Sequence, residues 1–161
     1  MMKKAFTLLE LVVVIIILGV LATLGFTQYG RMVERARGAE AKTIIGDMRK
    51  LAYAYRLANG SITGMTNADV NIGYNQDQIP RQGGCRSSHY FEYSLANSSG
   101  AIDSATDPTV QIAAWRCTSG GKTPQGPSNY PPACPGCRVL QLDSNLATGL
   151  DTWSDPYGAG Y

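Results

Sequence analysis

The residues of this chain whose types and spacing could do chemistry are few: four cysteines, one histidine and a handful of carboxylates in 161 residues. Cys134-Pro-Gly-Cys137 has the spacing of a redox pair. A catalytic pair, however, normally opens a helix whose N-terminus lowers the thiol pKa, and this one ends a loop with five prolines from Pro124 to Pro135. Cys85, His89, Cys134 and Cys137 carry the donor types of a tetrahedral zinc site. The remaining reading of the cysteines is two disulfides, for which four cysteines allow three pairings. With a single histidine, no glycine-rich phosphate loop and no serine-nucleophile elbow, no catalytic constellation is assembled. The expectation is a protein that is not an enzyme and needs no cofactor.

Which of these readings holds depends on the elements that position the residues, and the N-terminus decides where they reside. A short basic leader, Met1 to Lys4, passes through Ala5 into Phe6-Thr-Leu-Leu-Glu10, and an almost unbroken apolar run continues from Leu11 to Phe26. About 20 apolar residues cross the hydrocarbon core of a bilayer. Phe6 to Phe26 supplies 21, interrupted by Thr7, Glu10, Gly19, Thr23 and Gly25. A secretory signal would place its small-residue cleavage site after the apolar part and has no reason to carry a carboxylate at its front. Here the small residue, Ala5, comes first.

This block resembles the N-terminus of type IV prepilins and type II secretion pseudopilins, in which a dedicated peptidase cuts before the phenylalanine of a [GA]-F-T-L-[IL]-E motif. The resemblance covers residues 1 to about 30 closely and the rest only by the order of its elements. It implies a leader of residues 1–5, cleavage between Ala5 and Phe6, N-methylation of Phe6, and an anchor over residues 6–29 that survives processing. Ala5 stands where the family usually has glycine, which implies slower cleavage. Partners implied are other copies and other pilins, a prepilin peptidase, an inner-membrane assembly platform and, before assembly, the lipid bilayer. Lys3 and Lys4 would hold the N-terminus in the cytoplasm by the positive-inside rule, leaving residues 30–161 outside. Losing them leaves 12 of the 14 basic residues against 12 acidic ones, so no electrostatic partner is implied.

Glu10 is costly in lipid, by about 2.5 to 3.5 kcal/mol for a charge at the centre of a bilayer on insertion scales. Hydration near the interface is one remedy. In a filament of such helices the nearby cation would be the amino group of Phe6 in a neighbouring subunit. Resemblance and electrostatics together therefore give Glu10 the role of registering an incoming subunit by charge pairing.

Beyond the anchor the helical period continues through an amphipathic stretch over 30–58. Ile44, Met48, Leu51, Tyr55 and Ala58 recur at spacings of four and three, widened by Ala41, Ile45 and Ala52. Arg35, Glu40, Lys42, Asp47, Arg49 and Lys50 fall on the opposite face, and Asn59-Gly60 is a stop signal. One helix of about 50 residues follows, about 80 Å long. A polar, glycine-rich loop over 59–88 is expected next, with a turn of helix around Thr66 to Val70. Three strands are expected in 89–161, at Tyr90–Leu95, Thr109–Cys117 and Cys137–Asp143. The fold class is thus α+β and pilin-like: a long N-terminal helix, its first half transmembrane, packed on a small antiparallel meander.

In such a meander the start of the first strand, the end of the second and the start of the third share one edge of the sheet, which gathers all four cysteines. The exported side is oxidising, which favours two disulfides over zinc. Cys85 with Cys117, leaving Cys134 with Cys137, is the first choice of pairing, and Cys117 with Cys137 plus Cys85 with Cys134 the second.

The tail from Leu150 to Tyr161 loosely resembles the calcium-binding tail of major pseudopilins, which makes Asp143, Asp151 and Asp155 weak oxygen-ligand candidates. The simpler reading is a capping tail with an Asp-Pro turn packed by Trp153, and no metal is expected. A minor pilin presenting Arg81, Arg86, Arg116, Lys122 and Arg138 to nucleic acid is the binding-module alternative, and the scatter of those charges along the chain argues against it. Asn59 and Asn97 fall in glycosylation patterns that arise often by chance; no glycan is assigned.

Overall fold

The computed structural model describes residues 7–73, 79, 85–95, 108–123 and 139–154. The chain divides into two units, Met1–Ala36 and Arg37–Tyr161. One helix, α1 (Leu8–Asn59), of 52 residues, runs from the first into the second.

In the first unit the apolar side chains of α1 from Leu8 to Phe26 are exposed. By length and composition this stretch can cross a membrane. Its polar interruption at Thr23, near the end of the stretch, is handled locally, because the Thr23 hydroxyl donates to the Gly19 carbonyl one turn back at 2.6 Å. That bond satisfies a group which hydrocarbon could not.

In the second unit α1 turns a narrow apolar stripe into the core. Ala41, Ile45, Met48 and Ala52 are buried, with Ile44, Leu51 and Tyr55 packed at its margins. Ala58, expected in the stripe, is exposed, because the core ends a turn before the helix does. The helix stops where the sequence signals it. Asn59 Nδ2 donates to the Tyr55 carbonyl at 2.9 Å, and Gly60 N donates to the Arg56 carbonyl at 2.8 Å with Gly60 at φ 73°, the left-handed turn that glycine closes without strain.

The stretch after α1 contributes more than a connection. Ile62, Met65 and Val70 are fully or almost fully buried. Each such side chain withdrawn from water stabilises the fold by roughly 1.5–3 kcal/mol. A turn rather than a helix follows at Thr66, where Asp69 Oδ2 accepts from the Thr66 amide at 2.7 Å and its hydroxyl at 2.8 Å. Next to it, Asn67 Oδ1 accepts from the Leu95 amide at 2.9 Å and ties the loop to the sheet.

The sheet has four antiparallel strands in sequential order, β1 (Phe91–Leu95), β2 (Thr109–Arg116), β3 (Val139–Asn145) and β4 (Asp151–Ser154). Register places Leu95, Ile112, Leu142 and Trp153 in one inner row, Tyr93, Ala114 and Leu140 in a second, and Val110, Ser144 and Asp151 in a third. All but Trp153 and Asp151, on the edge strand, are buried. These rows cover the stripe of α1 to form one core.

Three departures from expectation are informative. Strand β3 extends two residues beyond Asp143, because Ser144 still pairs with Val110 and Asp151. A fourth strand, Asp151–Ser154, forms at the start of the stretch expected to be a capping tail, and Trp153 in it is 43% exposed; the Asp-Pro turn lies outside the described residues. The hairpin that creates it is built by Asn145: its side chain accepts from the amides of Ala147 and Thr148, both at 3.0 Å, and Gly149, at φ 75°, returns the chain. Arg49, placed by periodicity on the solvent face, instead reaches Ser144 and Asp151, each at 2.8 Å.

Candidate functional site at the start of the long helix

Thr7 and Glu10 are spaced as a capping box, Thr-x-x-Glu, immediately before the apolar run. Thr7 Oγ1 accepts from the Glu10 amide at 3.3 Å, and the Thr7 hydroxyl lies 3.5 Å from Glu10 Oε2, to which it donates. The carboxylate also sits in the first turn, where the exposed amides of the helix favour a negative charge. Glu10 therefore has a reason within its own chain to stand at this position besides charge pairing, and the Thr-x-x-Glu spacing carries that signal in the sequence. Its side chain is exposed and so remains accessible to a neighbour. Ala5 and Phe6 lie outside the described residues.

The second feature is the edge of the sheet where β1 begins and β2 ends. Cys85 and Cys117 form a disulfide with Cα atoms 5.6 Å apart, the first-choice pairing; Cys134 and Cys137 lie outside the described residues. Closing a loop of 32 residues stabilises the head by about 3 to 4 kcal/mol in the chain-entropy account. The backbone around it is tightly laced: Cys117 N donates to Tyr90 O at 2.9 Å and Lys122 N to His89 O at 2.8 Å. Gly121 is required there, since a Cβ on it would overlap Cys117 Cβ and approach Cys117 Sγ to 3.1 Å.

Three of the five basic residues that look scattered in sequence meet at this edge. Arg86 and Lys122 flank the disulfide, and Arg116 is buried, 2% exposed, with Nη1 donating to Tyr90 O at 2.9 Å. Arg116 stacks on Phe91 and Tyr90 and so serves packing rather than an open surface. Arg81 and Arg138 lie outside the described residues.

The carboxylates considered for calcium do not converge. Asp143 is on the outer face of β3, bonded by Gln111 Nε2 at 2.7 Å and Gln141 Nε2 at 3.0 Å. Asp151 is opposite Ser144 and so on the inner face, held by the Ser144 hydroxyl at 2.6 Å and by Arg49. Asp155 lies outside the described residues. Among the described residues no group of three or more histidine, cysteine, aspartate or glutamate side chains could hold a metal.

A long helix with an apolar first half, a four-stranded antiparallel sheet and a capped Thr-x-x-Glu start define an α+β, pilin-like protein. A family model of the prokaryotic N-terminal methylation motif matches residues 1–26. That match supports the type IV pilin and pseudopilin family, whose members are structural proteins. No solved structure matches the chain.

Proposed function

We propose that this protein is a structural subunit of a type IV pilus or pilus-like filament. It is cut between Ala5 and Phe6 by a prepilin peptidase, methylated on Phe6, and polymerised through its N-terminal helix. The observation that carries this reading is the methylation motif over residues 1–26 leading into an apolar helix with Glu10 in its first turn. Before assembly the subunit is anchored once in the inner membrane by residues 6–29 with its N-terminus cytoplasmic, and an assembly platform in that membrane is its partner for entry into the filament. Its action is assembly rather than turnover: apolar helix packing supplies adhesion between subunits, Glu10 supplies register against the Phe6 amine of a neighbour, and the head supplies the displayed surface.

Electron microscopy of material sheared from native cells, with mass spectrometry of the filaments, tests the reading. Filaments containing this chain from methylated Phe6 onward are expected. Processed protein that stays in the membrane and never enters sheared filaments would instead indicate a secretion pseudopilin or a minor pilin, and an intact Met1 after co-expression with a prepilin peptidase would overturn the processing step.

A further inference from the structure

The stapled edge of the head gathers several positively charged side chains. Around the single ring of Tyr90 stand the guanidinium of Arg37 at 4.7 Å, the ammonium of Lys122 at 4.9 Å and the guanidinium of Arg116 at 5.2 Å from the ring centroid. One ring attracts a cation, but three cations about one ring also repel each other. Beside them a tight turn, with His89 N donating to Arg86 O at 3.0 Å, brings Arg86 and His89 together. Both terminal nitrogens of Arg86 and Nε2 of His89 are buried and have no hydrogen-bond partner among the described residues.

Buried donors in native proteins are almost always bonded, and an orphaned one calls for an ion or a water. Here the two orphaned nitrogens of Arg86 form a fork matched to two oxygens of an oxyanion. A carboxylate would spend both its oxygens on that fork. In the tautomer with its proton on Nε2, His89 asks for a third oxygen and the Lys122 ammonium for a fourth, beside further positive charges that suit a dianion.

We propose that Arg86, His89 and Lys122, backed by Arg37 and Arg116 around Tyr90, form a binding site for a phosphate group. For an anchored chain that group has two sources, the headgroup of an anionic phospholipid or free phosphate. Only the first rests on the membrane reading above, and neither rests on filament assembly.

The test uses the full chain in dodecyl maltoside micelles, which carry no phosphate, titrated calorimetrically with inorganic phosphate at low salt. Saturable binding of one phosphate per chain is expected. Arg86→Lys keeps the charge but loses the fork and should weaken binding roughly tenfold. Lys122→Gln, at an exposed position where folding is not at risk, should weaken it severalfold. Lys50→Gln removes an exposed cation elsewhere on α1 and should change nothing.

Repeating the titration in nanodiscs containing phosphatidylglycerol separates the sources. Loss of free-phosphate binding, with hydrogen-exchange protection of residues 85–90 and 116–122, supports the headgroup; unchanged binding supports free phosphate. Absence of saturable binding in micelles would overturn the proposal, as would equal losses in Lys50→Gln and Lys122→Gln. A response to single-stranded oligonucleotide without one to phosphate would overturn it too, pointing to a diffuse polyanion surface.

Discussion

Arg49 Nε and Asp151 Oδ1 are 102 residues apart in the chain and 2.8 Å apart in the fold. The same nitrogen reaches the Ser144 hydroxyl at 2.8 Å, and that hydroxyl donates to the same carboxylate oxygen. Helix α1 thereby holds β3 and β4 at once, and the register of the edge strand depends on a side chain outside the sheet. Because both partners are about a third exposed, the ion pair itself is screened; the cost of losing it lies mainly in the buried Ser144. Arg49→Met is expected to lower head stability by about 1–2 kcal/mol, and to raise hydrogen exchange in β4 before that in β1 and β2. Denaturant unfolding and site-resolved exchange would measure both, and an unaltered β4 would dismiss the clamp.

Gly121→Ala should destabilise the head by about 1–3 kcal/mol, the range for forcing atoms into a packed site, because its Cβ overlaps Cys117 Cβ. The Cys85→Ser, Cys117→Ser double variant should keep most of that penalty, since serine retains the obstructing Cβ and only the 3.1 Å approach to Sγ is relieved. A thermal-melt comparison of the four proteins checks this. Disappearance of the penalty in the double variant would contradict the geometry.

The phenol of Tyr93 is pushed well above its ordinary range, first by burial and second by the negative charge of Glu40. The folded head therefore keeps this proton where the unfolded chain has released it. Stability from this group is complete below about pH 10, the ordinary tyrosine value, and falls as pH rises beyond it, by up to about 1.4 kcal/mol per pH unit. Tyr93→Phe should flatten the decline of melting temperature between about pH 10 and 11.5 relative to the parent. An identical alkaline profile would show that other groups govern it.

Glu10→Gln and Glu10→Val separate the two roles of this residue. Glutamine preserves the capping spacing and removes the charge, whereas valine removes both. Both variants should insert in membranes. If charge pairing sets register, both should fail to enter filaments; if helix capping is what matters, glutamine should assemble as well as glutamate, which sheared-filament yield would reveal.

The anchor and the meander were legible in sequence because each follows a simple period: apolar continuity from Leu11 to Phe26, and alternation in Phe91–Leu95 and Thr109–Arg116. Strand order brings the cysteines to one edge and leaves their pairing open, and the structure shows the first choice for Cys85 with Cys117. What escaped has local causes. Strand β4 is four residues long and opens with Asp151, so alternation had nothing to act on, and the signal was the Asn145 to Gly149 hairpin instead. Ile62, Met65 and Val70 lie in a polar, glycine-rich stretch without period, where only tertiary packing reveals core. Arg49 and Arg116 look like surface charges in sequence because sequence does not show which long side chains turn back over apolar neighbours. The clustering of Arg37, Arg86 and Lys122 around one edge likewise depends on contacts among residues up to 85 positions apart.

The Cys85–Cys117 bond also has a mechanical meaning. Strands β1 and β2 lie wholly inside the loop it closes. Force drawn along the chain, entering through α1 and leaving through β3, would cross the head by the sulfur bridge and bypass those strands. At about 3.4 Å per extended residue, the bond withholds roughly 110 Å of chain from extension. A subunit loaded in tension would thus yield first between its helix and β3, with the first hairpin spared until the bridge is reduced.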